Sequence, residues 1–235
     1  MTFLETKYLY FYLLCFTIMY PLAQSFERRL QLYRKWKAIL VGIIVVLLVF
    51  IPWDIYFTNK AIWWFSEEYT TGIELFNLPI EEVLFFVFVP YACVFIYEVL
   101  NYFIKRDILG GISKYISLIL GLTLIVLSIL FNEQVYTFVT FLLTGLALLI
   151  TVFTKPNWLG RFYLAYLVSL VPFLLINGIL TGSLIQYPVV NYDLNEIIGW
   201  RIITIPVEDS IYNLLMLLIM ISIYEKLNLS GQPKS

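Results

Sequence analysis

Apolar residues fill seven long stretches of this chain, with short polar segments between them. The stretches cover approximately residues 3–24, 37–57, 78–103, 112–131, 134–153, 159–182 and 203–227. About 20 apolar residues carry a helix across the hydrocarbon core of a bilayer, and each stretch reaches that length. The pattern predicts an all-α integral membrane protein with seven transmembrane helices. The two longer connections, 58–77 and 183–202, are rich in Trp, Tyr and Ile. They are expected to fold over the bundle at the membrane interface, with Trp63, Trp64, Tyr69, Tyr187 and Tyr192 as interfacial anchors.

The composition agrees. Of 235 residues 61% are hydrophobic, and the mean hydropathy is +0.88, far from a soluble domain. The formal net charge of −1 favours neither nucleic acid nor an acidic partner. Cys15 and Cys93 lie inside apolar stretches and read as small lipid- or core-facing residues. Histidine is absent, which removes the commonest general base and metal ligand. The first stretch does not read as a signal peptide. Its basic cluster follows the apolar run, and no small-x-small cleavage site stands out.

Lys and Arg set the orientation. Twelve of the fifteen (Arg28, Arg29, Arg34, Lys35, Lys37, Lys105, Arg106, Lys114, Lys155, Arg161, Lys226, Lys234) fall on one side of the spans, against Lys7, Lys60 and Arg201 on the other. Positive charge stays on the cytoplasmic side, so the N-terminus is expected outside and the C-terminus inside.

The chain also repeats itself. GIELFNLPIEEVLFF, starting at Gly72, matches GWRIITIPVEDSIYN, starting at Gly199, without a gap. Pro79 meets Pro206, Glu81 meets Glu208, Glu82 meets Asp209 and Phe85 meets Tyr212. Further on, IYEVLN at 96–101 meets IYEKLN at 223–228. The matches lie on the third and seventh spans, which run in the same direction. A parallel duplication follows: a three-span repeat over 1–104, a connecting span over 105–132 and a second three-span repeat over 133–235.

Taken alone, a proline followed by two acids is an ordinary helix start. Here it recurs in both halves, at one depth, on spans where an ionisable group marks function by default. Aromatic residues lie one turn on. A desolvated carboxyl retains its proton more readily, and a second carboxylate nearby reinforces that. Such a group donates a proton at neutral pH, and aromatic faces shelter a resulting cation. The pattern therefore suits protonation of an alkene.

The motifs LPIEEVLFF and IPVEDSIYN resemble the paired P-x-E-[ED] motifs of the membrane-integral, flavin-independent lycopene cyclases, as does NGILTG (177–182) ahead of the second. The resemblance covers nearly the whole chain. It implies cyclisation of linear ψ ends of lycopene to β-ionone rings without a cofactor. Glu81, Glu82, Glu208 and Asp209 are then the catalytic carboxylates, with acid and base unassigned. Relatives that close one end only, or act on fifty-carbon carotenoids, are the nearest alternatives. Phytoene synthase and desaturase are pathway partners by family alone. A lipophilic carotenoid and the bilayer are the expected partners, with the substrate entering from lipid.

Asp54, Phe85, Tyr212, Asn177 and Arg201 are the candidate substrate-binding residues. Asp54 ends the second span and Asn177 opens NGILTG. Arg201 aligns with Glu74, and the two could pair across the repeat axis. Tyr97–Glu98 and Tyr224–Glu225 recur as well. Glu98 lies about 25 Å along the helix from Glu81 at an α-helical rise, so these pairs read as structural. A retinal-binding reading fails for want of a central lysine in the last span. A magnesium-dependent prenyl transferase would want clustered aspartates, and a dinucleotide enzyme a glycine-rich turn. A small proton-coupled carrier is the rival from another class, since paired intramembrane carboxylates suit it too.

Overall fold

The computed structural model describes residues 5–230, with side chains described through Asn228. Residues 3 and 4 of the first expected span, Lys234, and the outer ends of the two expected repeats lie outside the described residues. Among these residues seven α-helices form: α1 Leu9–Gln24, α2 Trp36–Asn59, α3 Ile80–Phe103, α4 Gly110–Leu130, α5 Val135–Thr154, α6 Leu159–Leu180 and α7 Val207–Ser230. All but α1 are long and apolar enough to cross a membrane. At 16 residues, α1 is shorter than the span expected over 3–24. The protein is an all-α integral membrane protein.

Helices α3 and α7 sit centrally. Helix α1 packs on α3, α5 on α7, α2 on both, and α6 chiefly on α3. Helix α4 lies outside, against α5 and α6. It docks through two glycines: a Cβ at Gly145 would stand 2.8 Å from the Gly121 carbonyl oxygen, and one at Gly121 3.1 Å from that of Gly145. Small residues allow this close backbone approach, which drives helix association where water supplies no hydrophobic push.

The two connections form matching structures. Strands β2 (Glu74–Leu75) and β3 (Leu78–Pro79) make a hairpin leading into α3, and β5 (Arg201–Ile202) and β6 (Ile205–Pro206) make one leading into α7. Gly72 and Gly199 both take the left-handed conformation, and so do Phe76 and Ile203 at the hairpin tips. The Ile80 N–H donates to the Ile73 carbonyl, as Val207 does to Trp200. Every one of these features recurs 127 residues later.

Strand β1 (Trp63–Phe65) pairs antiparallel with β4 (Val190–Tyr192), with Trp64 opposite Asn191 at the centre. The Ser66 N–H donates to the Val189 carbonyl, and the Asp193 N–H returns the bond to Ile62. The ribbon closes over one end of the bundle. It buries Trp63, while Trp64 and Tyr187 remain exposed. Trp63 and Tyr192 are thus not interfacial anchors. Backbone pairing turns them inward.

At the other end, Tyr97 on α3 donates to Glu225 at 2.5 Å, and Tyr224 on α7 donates to Glu98 at 2.6 Å. Lys35 completes the set by pairing with Glu98. These crossed bonds clamp the two central helices. A Tyr224→Phe variant removes one and is expected to cost about 1.5–3 kcal/mol, the range for a bond to a charged group. It should read as a lower melting temperature in detergent with turnover unchanged.

Candidate active site

Adjacent acids at the start of a helix point about 100° apart, and here the two members of each pair part company. Glu81 is fully buried and turned to the connection, where its Oε1 accepts the Thr71 N–H at 2.7 Å. Glu208 does the same on α7, accepting the Ile198 N–H at 2.8 Å and the Thr137 hydroxyl at 2.6 Å. These first acids tie each loop to its helix. The second acids, Glu82 and Asp209, face one cavity of about 50 Å³. The positions that face it follow i, i+3, i+4, i+7: Asp209, Tyr212, Asn213 and Met216 on α7, and Glu82 and Phe85 on α3. The aromatic residue that accompanies each cavity acid, Phe85 or Tyr212, lies three residues on.

Five other elements, α1, α5, α6, β1 and β4, complete the cavity. Tyr10 of α1 donates to Glu82 Oε2 at 2.5 Å. Asp209 accepts three bonds: from Tyr136 of α5 to Oδ1 at 2.8 Å, and to Oδ2 from Asn177 of α6 at 2.8 Å and Tyr192 of β4 at 2.7 Å. Trp63 roofs the site, its ring centroid 5.0 Å from that of Tyr136, edge to face. Burial, then the Asp209 charge, holds the Tyr192 phenol well above its usual range, so it remains a neutral donor.

The other sequence candidates divide. Phe85, Tyr212 and Asn177 line the cavity. Asp54 is buried behind Trp63, whose indole N–H donates to its Oδ1 at 2.6 Å. Arg201 is not brought to the site. Its side chain is exposed and donates to the Thr204 carbonyl at 2.5 Å, within its own hairpin. It does not pair with Glu74, which is also exposed. The ion pairs among the described residues are Arg29–Glu27 and Lys35–Glu98. Among the described residues no Lys or Arg lines the cavity. Two carboxyls thus share an aromatic chamber without a counter-ion.

A family model described as lycopene cyclase matches residues 7–100 and 133–227. The chain belongs to the lycopene cyclase family. The matched residues take in both acid pairs, Tyr10, Tyr136, Asn177 and Tyr192, and leave out α4. Two fungal relatives are bifunctional lycopene cyclase/phytoene synthases. That of Aspergillus oryzae is 30% identical over 40% of this chain, and that of Leptosphaeria maculans 42% identical over 27% of it. The aligned segments span only 16% and 11% of those proteins. No solved structure matches the chain.

Several of the cyclase family member's cavity residues escaped sequence reasoning. Tyr10 and Tyr136 hold equivalent acids from the first and fifth helices, yet stand 126 residues apart. The ungapped register of 127 therefore does not align them. Trp63 and Tyr192 read as interface aromatics because strand pairing between two distant loops leaves no local signature. The NGILTG segment does carry a signal. Helix α6 continues through it to Leu180, and Asn177 reaches Asp209.

Proposed function

We propose that this protein closes linear ψ ends of lycopene to β-ionone rings by redox-neutral acid–base catalysis. One observation carries the reading: Glu82 and Asp209, one from each acid pair, face a single aromatic cavity that no cation lines among the described residues. Their surroundings divide the work. Glu82 accepts one bond, from Tyr10, which leaves an oxygen to carry a proton into the cavity. Asp209 has both oxygens occupied by three donors, and bonding of that kind favours the ionised form. Glu82 is assigned as the acid and Asp209 as the base.

The reaction then runs in three steps. Glu82 transfers its proton to C2 of the terminal alkene, and the positive charge appears at C1. The C5–C6 π pair forms the C1–C6 bond, which moves the charge to C5. Asp209 takes the C6 proton, and the C5–C6 double bond is restored. No electrons are gained or lost, and a proton shift between the carboxyls resets the site. The faces of Trp63, Tyr136 and Tyr212 stabilise the cation. The ribbon β1–β4 excludes water, which would otherwise trap it.

The wider expectations join this reading. The matching hairpins and crossed Tyr–Glu bonds support two three-helix repeats, 1–104 and 133–235, joined by 105–132. The excess of basic residues supports a cytoplasmic C-terminus in a bacterial-type cell membrane. Pigment analysis in a lycopene-accumulating bacterium tests the activity. Wild type is expected to yield γ- and β-carotene, with or without an uncoupler. Lycopene persisting beside well-expressed membrane protein rejects it, and loss of activity on uncoupling favours a proton-coupled carrier.

A further inference from the structure

We propose that the chain has one polyene-binding cleft, between α1, α3 and α6, and that its counterpart in the other repeat is closed, so one ring forms per binding event. The proposal rests on the cyclase reading above. A second cavity, of about 310 Å³, runs along these three helices. It meets the carboxylate chamber through three shared residues, Phe85, Phe173 and Asn177. From Phe85 to Ile96 it follows α3 for about 16 Å at an α-helical rise. Its lining is almost wholly apolar, and its lip is formed by Phe16, Met19 and Tyr20 of α1, all exposed on the bundle surface. The size lies at the low end for ligand pockets. It holds part of a long chain, with the remainder left in lipid. An uncharged, rod-like polyene whose reacting end reaches Glu82 and Asp209 meets those requirements.

The equivalent cleft would lie between α5, α7 and α2, and side chains fill it. Phe50 stands where the other half has Asn177, and its ring centroid is 5.0 Å from that of Tyr212, the counterpart of Phe85. Trp53 lies against Tyr212 from the same helix, also at 5.0 Å. Below them Gly42 and Met220 replace Ser169 and Cys93. A Cβ at Gly42 would stand 2.6 Å from the Met220 sulfur, so α2 closes onto α7. On the open side Pro172 sits in mid-α6, where α2 has Val45. A proline there removes a backbone bond in mid-helix, whereas the proline of α2, Pro52, lies nearer its end. The duplication thus retained both acids and one entrance.

Two variants and a cross-link test this in lycopene-accumulating cells. Ala92→Trp fills the cleft without touching the chamber and is expected to lower cyclised pigment at least tenfold. Leu48→Trp, on the exposed face of α2, should leave it unchanged. Photoreactive p-benzoylphenylalanine placed at Ile96 should capture lycopene on the protein, and at the equivalent position of the other repeat, Ile223, should capture at least fivefold less. In a time course, free monocyclic pigment should appear before the bicyclic product. Full activity of membrane-inserted Ala92→Trp, or equal capture at Ile96 and Ile223, overturns the proposal. If Ala92→Trp fails to insert, the cross-link decides. If wild type captures lycopene at Ile96 but never cyclises it, the cleft stands and the cyclase reading falls.

Discussion

Glu82→Gln is expected to leave lycopene unconverted, with a rate loss of about 10²–10⁴-fold, the usual contribution of a positioned acid. Glutamine still accepts the Tyr10 hydroxyl that Glu82 receives at 2.5 Å. Its size and packing match, so the protein should reach the membrane normally. What it lacks is a transferable proton. Glu81→Gln is the decisive contrast. The glutamine carbonyl oxygen can take the same Thr71 N–H that Glu81 accepts, and Glu81 does not line the cavity. That variant should cyclise within a few-fold of wild type at equal membrane level. Pigment per unit of protein separates the two by at least about tenfold. The opposite order, an active Glu82→Gln and an inactive Glu81→Gln, would return the chemistry to the first acid of the pair.

Asp209→Asn should lose activity by about 10²–10⁴-fold as well, and the residual product should differ. Three donors converge on Asp209. An amide presents one acceptor oxygen and an NH₂ group that faces those donors, and it cannot remove a proton from C6. The C5 cation, still formed by Glu82, then loses a proton from C4 to whatever base is near. Chromatography of the residual pigment is expected to show rings with the double bond at C4–C5. Wild-type rate and a purely β-ring product from Asp209→Asn would mean that another group takes the C6 proton. Glu208→Gln, altered at the loop tie where Glu208 accepts Ile198 and Thr137, should lower stability while the ring type remains β.

The membrane helices were legible because hydropathy is a property of each stretch alone. Six of seven expected spans reappear within a few residues as long apolar helices, and the first is shorter at its start. The match of the two hairpins was legible because similar local sequences take similar turns, as the left-handed Gly72 and Gly199 illustrate. Which acid of each pair enters the cavity was not legible. Both are buried or nearly so, and the choice depends on how α3 and α7 are rotated against their neighbours. Arg201 misled for a related reason. Alignment with Glu74 makes the two equivalent, and equivalent positions lie far apart unless they sit on the symmetry axis. Trp64 and Asn191 do sit there, and they meet.

By itself the sequence determined a membrane protein and two matching acid pairs, each opening a long apolar helix, because these follow from composition and local repetition. Only the tertiary structure decided that Glu82 and Asp209 share a chamber while Glu81 and Glu208 bind loops. It also decided that Tyr10, Tyr136 and Tyr192 hold the acids, and that one of two related clefts is open. Those outcomes depend on helix rotation and on side chains from distant segments filling, or leaving, the same space.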